Sequence, residues 1–106
     1  MLAENQLGTT AKAIIYTVPT GKAAVIKNFR FANRDTSSRT MNLYYLKAGL
    51  ADTSARLILP SALSIAPGNV VVEDNELTMA QDDMILGDAS VAAKIDFLIS
   101  GIERDA

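Results

Sequence analysis

The sequence predicts an all-β protein, an antiparallel β-sandwich or flattened barrel of about seven to eight short strands. Apolar residues recur mostly with a period of two in short blocks, which is the pattern of half-buried strands. Pro, Gly, Asn, Asp and Ser separate these blocks, as turn residues separate strands. No stretch shows a convincing amphipathic helix, and 106 residues correspond to one domain.

The first two strands are predicted at residues 12–18 and 22–33, on either side of a tight reversal. Between them lies Val-Pro-Thr-Gly at 18–21. Pro at the second position and Gly at the fourth suit a type I turn. The sequence therefore predicts a type I turn at 18–21.

The second strand changes its apolar phase along its length. Ala24 and Ile26 share one parity, whereas Phe29 and Phe31 have the opposite parity. A shift of one residue exchanges the two faces of a strand. We therefore predict a β-bulge near residues 27–28 that brings all four side chains to the core.

The third strand is predicted at residues 39–48, after a polar loop at 34–38. Its first face carries Met41, Leu43 and Tyr45. Its second face carries Asn42, Tyr44 and Leu46. The second face is unusually apolar for a surface in contact with water, so we expect Tyr44 and Leu46 to be covered at an interface.

The remaining strands are short except the last. A strand at 56–59 ends before Pro60, which suggests a sheet edge because Pro cannot donate a ladder hydrogen bond. Pro then Gly in the middle of 66–69 predict a type II turn before a strand at 70–73. Segments 76–79 and 84–86 read as a hairpin, and residues 93–102 alternate cleanly as the final strand.

The residue types exclude several classes of function. The sequence has no Cys and no His, so thiolate zinc sites, thiol nucleophiles and imidazole bases are missing. A net charge of −2 gives no general attraction for nucleic acid. No apolar run approaches the roughly 20 residues of a membrane helix, and residues 1–10 do not resemble a secretion signal. We expect a non-enzymatic protein with no cofactor, no nucleic-acid partner and no membrane partner.

Two groups of carboxylates are weak candidates for chemistry. Calcium prefers oxygen ligands, and three carboxylates lie close together in the sequence: Asp82, Asp83 and Asp88. Their spacing matches no known calcium loop, so we expect solvated turn residues and no metal. Glycoside hydrolysis needs two carboxylates at a set separation, which the acidic residues at 73, 74 and 76 do not reveal by sequence alone.

The N-terminal segment is predicted to be an arm at residues 1–11, followed by a single β-sandwich domain at residues 12–106. The arm has no core periodicity, and terminal segments are usually frayed unless something holds them. We expect Leu2 and Leu7 to anchor it on a neighbouring subunit. The alternative is an arm that folds back on its own domain.

Four cations gather around the second strand and the loop after it: Lys27, Arg30, Arg34 and Arg39. A cationic patch in an acidic protein can meet an acidic surface on a neighbour. We expect the three arginines to make such contacts. The alternative is a solvated strand face whose charges protect a sheet edge.

Several segments resemble the small virion proteins of tailed bacteriophages. They are IYTVPTGKAAVIK at 15–27, FAN at 31–33 and MNLYY at 41–45, with APG at 66–68, LTM at 77–79, ILGDAS at 85–90 and ISGIE at 99–103. The likeness covers about residues 11–103. The family commonly has a Gly-Asp pair where this sequence has Asp82 and Asp83.

The resemblance implies a β-sandwich that decorates or cements a capsid, or forms part of a tail, neck or fibre-attachment apparatus. We expect a capsid decoration protein that forms a homo-oligomer, a trimer, and contacts the major capsid protein or another virion protein. It would be made in the host cytoplasm and reside in the virion. A different possibility is a module whose sandwich loops bind a host-surface glycan.

Overall fold

The computed structural model describes residues 1–105, apart from the side chain of Asp52, and confirms the β-sandwich. Two antiparallel sheets of five strands each face one another without closing into a barrel. The molecule measures 42 × 26 × 20 Å. Within residues 1–105 no helix is long and apolar enough to cross a membrane.

Over residues 1–105 the fold consists of ten strands and one short 3₁₀ helix. In chain order they are β1 Ala3–Gln6, β2 Ala13–Thr17, β3 Lys22–Asn33, β4 Arg39–Leu46, the 3₁₀ helix Asp52–Ser54, β5 Arg56–Leu57, β6 Leu63–Ile65, β7 Val70–Glu73, β8 Leu77–Met79, β9 Met84–Ala89 and β10 Ile95–Asp105.

The strand order is that of a jelly roll. Sheet A has the order β1-β10-β3-β7, with β8 also paired to β3, and sheet B has the order β2-β9-β4-β5, with β6 also paired to β4. Because β7 and β8 lie along successive parts of β3, they act as one interrupted strand, and β5 and β6 do the same along β4. Counted in this way, residues 1–105 form eight strands, four in each sheet, with the connections of a double Greek key.

The core fills the space between the two sheets. Its side chains come from both sheets and from the segments that join them. The largest fully buried ones are Phe29, Phe31, Leu7, Ile26, Met41, Leu43, Ile65, Met79, Ile85, Leu86, Ile95 and Ile99. All but Leu86 belong to the cluster between the sheets, which buries the apolar face that each sheet would otherwise present to water.

The predicted bulge in the second strand is confirmed. Ser100 of β10 lies opposite Asn28 of β3, but the next residue, Gly101, lies opposite Ile26. Lys27 therefore has no opposite residue, and the phase of β3 changes there. The four apolar residues of the two parities, at 24, 26, 29 and 31, are all buried in the core.

Gly101 is needed opposite this bulge. A Cβ atom at Gly101 would lie 2.1 Å from the carbonyl oxygen of Val25 and 3.0 Å from Cα of Ile26. Because both contacts are with backbone, no side-chain rotation relieves them. The bulge in one strand therefore requires a glycine in the other.

Two turns were predicted from Pro and Gly, and one needs correction. Asn69 N–H donates to the Ala66 carbonyl at 3.1 Å, and φ of Gly68 is +73°, which confirms the type II turn at 66–69. The first turn lies one residue later than predicted, because Lys22 N–H donates to the Pro19 carbonyl at 3.0 Å. Gly21 thus occupies the third position with φ +84°, as in a type II turn.

The N-terminal segment is part of the sandwich and not a separate arm. Strand β1 pairs antiparallel with β10 at the edge of sheet A. Leu7 is 1% exposed in the core, and its N–H donates to the Ile95 carbonyl at 2.9 Å. Leu2 packs against the same core. Leu2 and Leu7 thus hold the segment on its own chain and not on a neighbouring subunit, which agrees with the alternative of an arm that folds back on its own domain.

Candidate interaction surfaces

A row of apolar side chains crosses the outer face of sheet B. Ile14 of β2 lies opposite Leu86 of β9, Leu86 lies opposite Tyr44 of β4, and Tyr44 lies opposite Leu57 of β5. We call these four residues the apolar row. Ile14 is 61% exposed and Leu57 is 52% exposed, while Leu86 between them is only 1% exposed.

A bulge in β2 places Ile14 on this outer face. The pairing of β2 with β9 shifts between Ile14 and Tyr16, so Ile15 has no opposite residue. Tyr16 is buried in the core although it has the same parity as Ile14. Simple alternation assigns both residues to one face, which is why the sequence pattern did not identify Ile14 as a surface residue.

A polar network borders the apolar row. The Asp88 carboxylate accepts hydrogen bonds from Lys12 N–H at 2.9 Å and from Asn42 Nδ2 at 2.8 Å. Oδ1 of Asn42 accepts from Ala62 N–H at 2.8 Å. Lys12 Nζ lies 5.4 Å from the centre of the Tyr44 ring. An apolar centre beside a polar rim is the arrangement typical of protein–protein interfaces.

The structure separates the two residues that were expected on this face. Tyr44 is half-buried and belongs to the apolar row, in agreement with an outward position. Leu46 lies opposite Met84 and is only 4% exposed. This corrects the expectation for Leu46, because its own chain already removes it from water.

Asp83 is buried, and its carboxylate has a structural role. Its carboxylate accepts hydrogen bonds from the Tyr45 hydroxyl at 2.7 Å, from Ala48 N–H at 2.9 Å and from Ala80 N–H at 3.0 Å. Burial opposes the charge, but these donors outweigh it and keep the pKa of Asp83 below its usual value. Burial and the same hydrogen bond raise the pKa of Tyr45 to about 12.

Three of the other candidate carboxylates have separate partners. Asp82 accepts a hydrogen bond from the Thr20 hydroxyl at 2.7 Å. Glu73 accepts from Asn75 N–H at 3.1 Å, and Glu76 forms an ion pair with Lys27 at 2.7 Å. Leaving aside Asp52, whose side chain is not described, no three acidic side chains of residues 1–105 converge in a way that could hold a metal ion.

Three of the four predicted patch cations are neutralised within the chain. Arg39 contacts Asp35 at 2.6 Å, and Arg34 lies 3.6 Å from Asp96. The Arg39 hydrogen bond, with help from a backbone N–H, lowers the pKa of Asp35. Lys27 pairs with Glu76 as described above. Each of these three charges therefore has a partner within its own chain, and a contact of Arg34 and Arg39 with an acidic neighbour stays a prediction.

Arg30 differs from the other three cations. It takes part in no ion pair with any described side chain, and it is exposed on the outer face of sheet A. It lines a cleft of about 550 Å³ with Glu4, Gln6, Ala32, Asp96 and Leu98. The cleft lies across β1, β10 and β3.

The two sheets therefore present different outer surfaces, one with an apolar row and one with a cleft that carries opposite charges.

Comparison of the chain with protein-family models, with curated proteins and with solved structures found no match.

Proposed function

We propose that the protein is a virion structural protein of a tailed bacteriophage that decorates or cements the capsid. It would bind the major capsid protein, or another virion protein, through the apolar row on sheet B. The exposed part of that row is the observation that carries the binding role. The virion setting comes from the sequence resemblance of residues 11–103 to small phage virion proteins.

The apolar row has the composition expected of a binding surface. Full burial of a side chain such as Ile or Leu is worth about 1.5–3 kcal/mol, and Ile14 and Leu57 are each more than half exposed in the isolated chain. The tyrosine between them offers a ring and a hydroxyl, and aromatic residues are enriched at interfaces. A partner that covers the row would gain this free energy.

Repetition on a particle would amplify a modest contact. Many identical copies on one shell act together, so each interface can be weak while the layer as a whole is stable. The jelly-roll strand order supports the same setting by analogy, because viral shell and lectin domains often have it. A decorating protein of this kind stabilises by contact and performs no reaction.

The proposal is tested by adding purified protein to phage particles that lack it and measuring how much sediments with them. The variant Ile14→Glu/Leu57→Glu places two charges in the apolar row, and we expect it to lower occupancy by at least about tenfold. The matched control is Leu50→Glu in the loop after β4, where the leucine is 49% exposed. Its binding should equal that of the wild type.

Two results would contradict the proposal. Wild-type protein that stays in the supernatant while the particles sediment would remove the virion role. Equal occupancy for the row variant and the control would remove the apolar row as the contact. The number of copies per particle, measured by mass spectrometry, distinguishes the possible locations in the virion. A number comparable to that of the major capsid protein indicates the shell, whereas the small number that fits at a single vertex indicates the tail or neck.

A further inference from the structure

We infer that the outer face of sheet A binds a second copy of this chain around a two-fold axis, with Glu4 of each copy facing Arg30 of the other. This goes beyond the proposed function, because it concerns a contact between copies in solution and does not depend on a capsid. We propose a second copy as the partner because this one face carries charges of both signs, so two copies of it are complementary.

The register places the two charges symmetrically about Leu98. Glu4 of β1 lies opposite Leu98 of β10, and Leu98 lies opposite Arg30 of β3. Neighbouring strands are about 4.8 Å apart, so the two charges stand one strand spacing to either side of Leu98. All three side chains line the same cleft.

Both charges are available for a partner. Among the side chains that the structure describes, neither Glu4 nor Arg30 takes part in an ion pair, and both are exposed. The other carboxylate of the cleft, Asp96, is already engaged, since it lies 3.6 Å from Arg34 and accepts a hydrogen bond from Gln6 at 3.1 Å. The cleft therefore holds one unpaired charge of each sign.

A two-fold axis satisfies both charges at once. If the axis runs parallel to β10 between two facing sheets, it places Leu98 against Leu98 and brings Glu4 of each copy opposite Arg30 of the other. Two ion pairs then flank an apolar centre, which is an isologous interface. The same axis brings the two Asp96 side chains near each other, where the neighbouring Arg34 of each chain offsets their charge.

This arrangement differs from the trimer expected from the family resemblance. A three-fold ring joins two different patches of the surface, one from each neighbour. Here the complementary charges lie on one face, and Arg30 is on an inner strand of the sheet and not at its edge. Face-to-face pairing around a two-fold axis is the assembly that pairs Glu4 and Arg30 of both copies.

Sedimentation velocity over a range of protein concentrations tests the inference. We expect a wild-type dimer whose dissociation constant rises at least about tenfold in Glu4→Arg and in Arg30→Glu, because each change opposes like charges. The double variant Glu4→Arg/Arg30→Glu should return to within about threefold of the wild type, since the pairs are re-formed with reversed polarity. The control Arg56→Glu makes the same charge change on sheet B and should leave the dimer unchanged.

A chemical cross-link gives a second measurement that does not depend on charge. The sequence contains no Cys, so Leu98→Cys introduces a single thiol at the axis. A short bis-maleimide should join two copies of Leu98→Cys and should not join copies of Leu57→Cys on sheet B. Any one of four results would overturn the inference. They are a monomeric wild type, single charge variants that dimerise like the wild type, a folded double variant that does not regain dimerisation, and equal cross-linking of the two Cys variants.

Discussion

The Tyr45 hydroxyl donates a 2.7 Å hydrogen bond to Oδ2 of Asp83, and this contact joins β4 to the turn that precedes β9. The same carboxylate also accepts hydrogen bonds from the backbone N–H groups of Ala48 and Ala80, so it holds the end of β4 against the turn. The backbone of Asp83 adds to this, because its carbonyl accepts from Val18 N–H at 2.9 Å. Asp83 therefore connects its own turn to two segments distant in sequence, the end of β4 through its carboxylate and the residue after β2 through its backbone.

Asp83→Asn should destabilise the protein strongly. Asn can no longer offer two charged acceptor oxygens to three donors, and hydrogen bonds to a charged group are worth about 1.5–3 kcal/mol. We expect a loss of about 2–3 kcal/mol in the free energy of unfolding, measured by urea denaturation. Asp82→Asn, next to it but exposed and bonded to Thr20, should cost less than about 1 kcal/mol. Equal losses of unfolding free energy in the two variants would contradict a structural role for the Asp83 carboxylate.

Stability should fall in acid through the same carboxylate. The pKa of Asp83 is lower in the folded protein than in the unfolded chain, where an Asp has a pKa of about 3.9. The stabilisation is therefore fully present above about pH 4 and is lost as the pH falls through the folded-state value. The lowered pKa of Asp35 acts in the same direction.

Urea midpoints measured from neutral pH down to acid would record this loss. Asp83→Asn should show a shallower decline than the wild type over the acid range, because its side chain has no proton to bind there. Parallel curves for the two proteins would show that Asp83 does not contribute.

Gly101→Ala should be poorly tolerated. The added methyl group would lie 2.1 Å from the Val25 carbonyl oxygen, so one of the two strands must move apart at the bulge. We expect a destabilisation of about 3 kcal/mol. Gly8→Ala is the matched control, because no atom lies within 4 Å of the added carbon and φ is not positive. That control should change stability by less than about 1 kcal/mol, and a similar cost for both variants would contradict the close approach.

Ala93→Gly should stabilise the protein. Ala93 has a φ of +60°, a left-handed conformation that costs an L-residue roughly 1–2 kcal/mol. Gly removes this cost but adds unfolded-state entropy, so a net gain of about 0.5 kcal/mol is expected. Its neighbour Ala92 has no positive φ, and Ala92→Gly should lose about 0.5–1 kcal/mol. Thermal unfolding of the two variants side by side tests the opposite signs.

Local chemistry was enough to predict much of the fold. The class follows from period-two alternation, since a strand turns every second side chain to the same side. The bulge at Lys27 follows from the parity change between Ile26 and Phe29, because both must be buried. The type II turn at 66–69 follows from Pro and Gly at its centre. In each case the signal and the structure involve residues close together in the chain.

The candidate surfaces could not be predicted in the same way, because they depend on which strands become neighbours. The apolar row combines β2, β9, β4 and β5, and alternation alone does not say that Ile14 and Leu57 share a face with Tyr44.

The sequence by itself determined an all-β chain, the type II turn at 66–69 and the bulge of β3, because these depend on backbone preferences and side-chain parity within a few residues. Tertiary structure alone decided that Leu7 and Leu46 are buried, that Arg34 pairs with Asp96, and that Glu4 and Arg30 flank Leu98. The physical reason is that burial and ion pairing are set by distance in space, and strand pairing brings together residues far apart in sequence.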